Sequence, residues 1–304
     1  MLGTKKLLDQ DAITVKMQGF VFNGFAWFVV VACMFLPPIS QAKQLAVLAP
    51  LILLLGVPHG ALDTIFVRQI LHIESKIAWA LFSAIYLSLA FTVVALWWFA
   101  PIFFLLVFLL FSAFHFSGDL AGCPPELFRI LYGGAIVFCP LVLHSTEVSG
   151  LFEILVGSDN ANGFVSILKR MAWPWVVAIG VIATVGFRQN MRCSTELFSV
   201  ATLLVIAPPL LGFTVYFCCM HSARHILRVK NYSREGTFKH LGSVAALPML
   251  VTLSGVAAAW YLLSGMPVDT RFTQILFVGL AALTIPHMII VEQVRCSGWK
   301  LGKA

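Results

Sequence analysis

Long apolar runs alternate with short charged connections from residue 18 to residue 295. A helix that crosses a bilayer needs about 20 mostly apolar residues. Runs of that kind occur at 18–36, 44–66, 77–99, 101–118, 127–144, 171–187, 197–226, 241–264 and 273–295. Strands are not expected, because an open sheet edge cannot be satisfied in lipid. The pattern therefore predicts an all-α fold, a polytopic transmembrane helical bundle of about eight to ten membrane helices. It reads as a single integral-membrane domain over 1–304, with a polar N-terminal segment at 1–17 and a polar tail at 296–304. The N-terminal segment carries Asp9 and Asp11 and leads into a helix-length run, which suits a first span better than a cleaved signal peptide. Three stretches break the pattern. Residues 145–170 mix apolar runs with Glu147, Glu153, Asp159, Lys169 and Arg170; Pro208-Pro209 should kink or break the run at 197–226; and 171–187 is short for a crossing.

Composition removes the soluble alternatives. Hydrophobic residues make up 60% of the chain and charged residues 11%, against roughly 25% charged in an ordinary soluble domain. The net charge of +7 is not a nucleic-acid signal, since its clusters (Lys5 and Lys6, Arg224 to Lys239, Arg295 to Lys303) sit between apolar runs with no polar domain to carry them. They fit cytoplasmic loops of a multi-pass protein of the cell's inner (plasma) membrane. Nine simple crossings starting inside would leave the basic stretch 227–240 outside, against that rule, so one crossing more or fewer is expected between residues 119 and 221. The seven cysteines form no CxxC, and Cys33, Cys139, Cys218 and Cys219 lie in apolar runs as small apolar residues.

Eight histidines remain to be explained, and five of them, His59, His115, His221, His225 and His287, lie in or at the ends of apolar runs. Ionisable side chains are costly there and usually face an interior or a cavity. His221 and His225 form an HxxxH pair, one face of a helix, from which both rings can reach one metal ion. His59 in GVPHGALD and His115 in FHFSGD each have a carboxylate four residues on, Asp63 and Asp119. A metal-bound histidine commonly donates its other ring N–H to such a carboxylate, although either aspartate also suits a helix end at water. The extra crossing required by the charges also brings His221 and His225 to the side of the membrane that holds His59 and His115. His287, after Pro286 in the last run, is open between a fifth ligand, a supporting hydrogen-bond donor, a group facing substrate and a histidine bonded to a neighbouring helix.

Four neutral imidazoles suit Fe, Zn, Cu or Ni, and in a membrane interior they fit a redox-active Fe(2+) with positions for O2 better than a hydrolytic zinc. There is no HExxH, no GxGxxG and no Walker motif. Aromatics are plentiful (26 Phe, 8 Trp), mostly as lipid-facing or interfacial residues in FAWF, ALWWF and FRILY, with a minority available to line an apolar tunnel. Two other classes share these features: a membrane di-iron desaturase or hydroxylase, which needs more histidine clusters than one HxxxH, and a haem-binding or lipophile-transporting protein, in which His115 and His225 would pair across a haem.

The ordered set PHGALD, FHFSGD, HSARH and IPHM over about residues 50 to 295 resembles the bacterial and archaeal β-carotene dioxygenases, the bacteriorhodopsin-related-protein-like family. The resemblance implies an iron- and O2-dependent carotenoid cleavage dioxygenase that splits the central double bond of β-carotene into two molecules of retinal. It maps the iron-binding, catalytic histidines onto His59, His115, His221 and His225 and the late PH motif onto His287. It also implies a lipid bilayer as setting and a rhodopsin as the user of retinal. A tyrosine near the site is not assigned; Tyr132, Tyr216 and Tyr261 are the candidates.

Overall fold

The computed structural model describes residues 2–37, 39–120, 125–233 and 236–296, without the side chains of 2–12 and 296. The side chains of Lys5, Lys6, Asp9 and Asp11 and the tail beyond Cys296 lie outside the described residues. Among those residues the chain forms 11 helices and no strand. They are α1 (Leu2–Phe35), α2 (Gln41–Ile70), α3 (Lys76–Phe99), α4 (Pro101–Phe116), α5 (Glu126–Leu143), α6 (Ser145–Val156), α7 (Ser158–Gly186), α8 (Met191–Ile206), α9 (209–232), α10 (Phe238–Leu262) and α11 (Val268–Cys296). Seven are long and apolar enough to cross a membrane, and α4 is an apolar helix of 16 residues. The all-α transmembrane bundle is thus as its hydropathy pattern predicts, with seven helices of spanning length among the described residues where eight to ten were expected.

One expectation is met and one needs correction. The run at 197–226 breaks at Pro208-Pro209. Pro208 lacks an N–H and disfavours helix in the residue before it, so α8 ends at Ile206, Ala207 is extended, and α9 begins at Pro209. The two run antiparallel, for Glu196 near the start of α8 binds Arg224 near the end of α9. The run at 171–187 is the second half of α7, a 29-residue helix that begins in the polar stretch. The rest of that stretch is α6, a separate helix of 12 residues.

The break at Pro208-Pro209 lets the chain reverse direction between α8 and α9, which returns His221 and His225 to the end of the bundle that holds His59 and His115. The end of α4, the start of α8, the end of α9 and the early part of α1 all meet at one end of the bundle. There Arg224 donates to the Asp119 carbonyl (2.7 Å), to Glu196 Oε2 (2.8 Å) and to Gln18 Oε1 (2.8 Å). At the opposite end His144 Nε2 lies 3.1 Å from the Ile206 carbonyl, and α6 stays there between the end of α5 and the start of α7.

Burial sorts the helices into an interior and a rim. Few residues along the apolar lengths of α10 and α3 are buried, whereas half of those along α5 are. Side chains such as Phe91, Trp98 and Leu247 face outward, as the lipid-facing surface of a membrane bundle must. The interior is packed by Phe22 and Ala26 of α1, Leu131 of α5, Leu197 and Leu204 of α8 and Tyr216 of α9.

Candidate metal centre

Both helices that carry the central histidines are irregular where the histidines sit. In α2 the backbone widens to a π turn over Ile52–Gly56 and then tightens to a 3-10 helix over Val57–Leu62, around Pro58, which cannot continue the hydrogen-bond ladder. In α9 a π stretch covers Tyr216–Ser222 and ends beside the HxxxH pair. Such π segments recur at functional sites because they redirect side chains. Gly56 matters for a second reason. A Cβ there would run into the ring of Phe217, and Phe217 stacks on His221 with centroids 5.5 Å apart.

Five imidazoles meet at this point. The ring of His59 lies 4.8 Å from that of His221, 5.3 Å from His225 and 5.0 Å from His287. His115 lies 4.9 Å from His221 and 5.2 Å from His287, and His225 lies 5.2 Å from His287. All five are buried. Candidate donor atoms of His59, His221 and His287 fall within 4.8 Å of one another, a spacing that suits capture of one metal ion.

The second ring nitrogen of His221, His287 and His59 is held by an acceptor. His221 Nδ1 donates to Asp119, 2.9 Å from Oδ2. His287 Nδ1 donates to Asp63 Oδ1 at 2.7 Å. His59 Nδ1 donates to the Gly56 carbonyl at 2.5 Å and lies 3.0 Å from Ser222 Oγ. With Nδ1 protonated, Nε2 carries the lone pair. The Nε2 atoms of His221 and His287 are buried without a hydrogen-bond partner. An acceptor left so in a membrane interior is costly, and a cation relieves that cost. His115 has neither nitrogen hydrogen-bonded, and its Nδ1 lies 4.0 Å from Glu292 Oε1.

The carboxylates therefore serve other helices than the four-residue spacing suggested. Asp63 holds His287 and not His59, because the 3-10 turns destroy the four-residue face and the His59 ring turns back to Gly56. Asp119 holds His221 and not His115, because α4 ends at Phe116 and Asp119 follows the turn. Each carboxylate has a tyrosine behind it. Tyr216 donates to Asp119 Oδ2 (2.5 Å) and Tyr86 to Asp63 Oδ2 (3.2 Å). Of the three candidate tyrosines, Tyr216 touches the centre through Asp119, Tyr132 packs against Tyr216 with tilted rings 6.0 Å apart, and Tyr261 is exposed on α10.

Residues that the sequence did not single out complete the surroundings. Tyr86 and Ser222 carry no local signal. Glu292, five residues after His287 in the last span, did carry one as a charge among apolar residues, and so did Glu196 at the edge of a run. The remaining histidines lie apart. His72 is in the turn after α2, His144 pairs with Glu147 at 3.0 Å, and His240 opens α10. They form no second cluster among the described residues.

An apolar cleft leads away from the imidazoles. One stripe of α4 (Leu105, Phe108, Leu109, Ser112, His115) forms a wall, and matching stripes of α9 and α11 face it. Apart from the imidazoles, the hydroxyl groups on its walls are those of Ser112 and Thr284, and Thr284 is turned back onto the Leu280 carbonyl.

No solved structure matches the chain significantly. Among characterised sequences, it is 33% identical over 251 residues to a beta-carotene 15,15'-dioxygenase of the uncultured marine bacterium 66A03, covering 80% of this chain and 90% of that one. It is 24% identical over 296 residues to a probable beta-carotene 15,15'-dioxygenase Blh of Halobacterium salinarum, covering 83% of this chain and 85% of that one. The family model described as beta-carotene 15,15'-dioxygenase matches residues 50–295, the segment that contains every buried histidine of the cluster. The chain belongs to the beta-carotene 15,15'-dioxygenase family.

Proposed function

We propose that this protein cleaves the central double bond of β-carotene, or of a close relative, with O2 at an iron centre held by His59, His115, His221 and His225, with His287 as a fifth nitrogen donor. The observation that carries this reading is the convergence of five buried imidazoles at the head of an apolar cleft, with the lone pairs of His221 and His287 otherwise unused. The donor set fits a first-row metal, and imidazole is a common ligand for iron. When bound, iron supplies the activation of O2 that a carbon–carbon double bond does not undergo unaided.

The protein's own residues do the remaining work. Asp119 and Asp63 hold Nδ1–H of His221 and His287, which fixes both tautomers and ring orientations. Phe116 and Phe217 pack against the His221 ring and keep water from it. The cleft walls hold an apolar polyene so that one double bond lies beside the imidazoles, and such positioning is the largest contribution a scaffold of this kind makes. The reaction balances without a reductant, since one double bond and one O2 give two aldehydes. Retinal so formed is apolar and stays in the bilayer, where a rhodopsin can take it up.

The charge pattern supports placing the histidine end toward the cytoplasm of a plasma membrane. Arg68, Lys76, Lys230 and Lys239 lie in the terminal turns of helices at that end, and Arg188 lies in the connection between α7 and α8, as the positive-inside rule requires. The test is expression in carotene-accumulating bacteria. Orange cells should bleach with retinal appearing, and the His59→Ala and His221→Ala variants should leave the pigment intact. Unchanged pigment with folded, iron-loaded wild-type protein contradicts the proposal.

A further inference from the structure

Helix α6 is the part of the fold that the activity has not yet used. It is too short to cross a membrane, and it lies at the end of the bundle opposite the imidazoles. Three of its residues on one face, Val148, Leu151 and Leu155, together with Phe152, line the cleft. They meet Leu105 of α4 and Phe277 of α11, which are the cleft residues of those two helices most distant in sequence from His115 and His287. In both helices that separation is ten residues, which at 1.5 Å of rise per residue is about 15 Å. The cleft is therefore an arm of defined length, with imidazoles at one end and α6 at the other.

The arm's end is fixed in place. Trp97 Nε1 of α3 donates to the Leu155 carbonyl at 2.9 Å, and Gln274 Nε2 of α11 donates to the Ile154 carbonyl at 3.3 Å. These two carbonyls belong to the last turn of α6, where helix carbonyls have no partner within the helix. Two neighbouring helices thus hold the end wall. Its side chains are all hydrocarbon.

Resting on the dioxygenase reading above, we propose that α6 is the end stop for one ring of a bicyclic carotenoid, and that the distance from α6 to the imidazoles determines which double bond is cut. With bonds near 1.4 Å that advance about 1.2 Å each along a trans chain, the nine bonds from ring to central double bond and the ring itself span about 15 Å. That equals the length of the arm. Because the substrate is symmetric about its centre, measuring one half is sufficient to place the central bond. The hydrocarbon end wall also selects the ring: a hydroxylated ring would bury its hydroxyl against Leu151, Phe152 and Phe277 with no acceptor side chain on that wall.

The test uses the full-length protein in detergent or membranes, with products separated by chain length. Leu151→Trp shortens the arm and Phe152→Ala lengthens it. Each should lower retinal formation by about a hundredfold, the scale on which a displacement of about 1 Å acts, and each should yield a pair of unequal aldehydes, one longer and one shorter than retinal. Glu153→Gln, on the exposed side of α6, should leave rate and products unchanged. Independently of any variant, the wild type should cut an apocarotenal that keeps one intact ring half at the same bond counted from that ring, and should turn over a dihydroxylated carotenoid far more slowly than β-carotene. Wild-type rates and retinal as sole product from both α6 variants, at wild-type iron content, would overturn the measuring role, as would cleavage of the apocarotenal at a different bond. A wild type that makes no retinal at all would instead overturn the reading of the histidine centre.

Discussion

At one end of the cleft, His59, His221 and His287 each donate Nδ1–H to a fixed acceptor, and the two carboxylate acceptors are held in turn by Tyr216 and Tyr86. At the other end, Leu105, Leu151, Leu155 and Phe277 offer no side-chain hydrogen bond at all, and only the α6 backbone is tied, by Trp97 and Gln274. The histidine end achieves orientation through directional bonds, in which moving one atom breaks a contact. The far end achieves it through shape, which tolerates exchange of one hydrocarbon for another of similar volume. Mutations should therefore act sharply at the first end and in proportion to volume at the second.

The largest effect expected is at the rings themselves. His59→Ala and His221→Ala should lose bound iron and fall to background cleavage, read by metal analysis and retinal formation on the same preparation. Full iron and full activity in either variant would dissolve the distinction between the two ends.

Next comes the buried ion pair behind the rings. Arg224 has 0% exposure and Glu196 1%, and the pair ties α8 to α9 and to the Asp119 carbonyl. Removing one partner of such a pair costs about 3–5 kcal/mol, because the other charge stays buried alone. Glu196→Ala should show that loss as a lower unfolding temperature in detergent, with iron content falling as His221 loses its support. An unfolding temperature equal to that of the wild type would mean that the pair is structurally idle.

A smaller change is expected from the carboxylates. Asp119→Asn and Asp63→Asn keep the shape but weaken the grip on His221 and His287, and partners of this kind typically contribute 10–100-fold to metal affinity or activity. Titration of the iron-free protein with Fe(2+) reads this directly. Equal affinity in Asp63→Asn and wild type would remove His287 from the donor set while leaving the other four rings in it. Ser222→Ala should do least. It removes one neutral contact to His59, about 1 kcal/mol or roughly fivefold in affinity, and a loss as large as that of Asp119→Asn would show that Ser222 does more than orient a ring.

The same contrast explains what the sequence disclosed. Histidines stand out in apolar runs because lipid makes them costly, so His59, His115, His221, His225 and His287 could be picked out from position alone. Pro208-Pro209 announced a break, and the charge pattern required an additional crossing, although only the Glu196–Arg224 contact makes the break a hairpin. The carboxylate pairing could not be read. Asp63 and His287 are 224 positions apart and Asp119 and His221 are 102 apart, and the local four-residue spacing pointed to the wrong partners because neither helix is regular at that step. The role of α6 was equally hidden. Its stretch mixes apolar runs with charges, and only contacts from α3 and α11 make it a wall.

The most direct test of the account is the metal content of purified protein carrying each of the five ring substitutions singly, measured together with retinal formation. The account predicts one iron per chain in the wild type and a lower iron content and activity in every single His→Ala variant, with His144→Ala, at the opposite end, indistinguishable from wild type. Iron retained at one per chain with full activity when His59 and His221 are both replaced would contradict a shared ion, and with it the centre on which every other statement about this site depends.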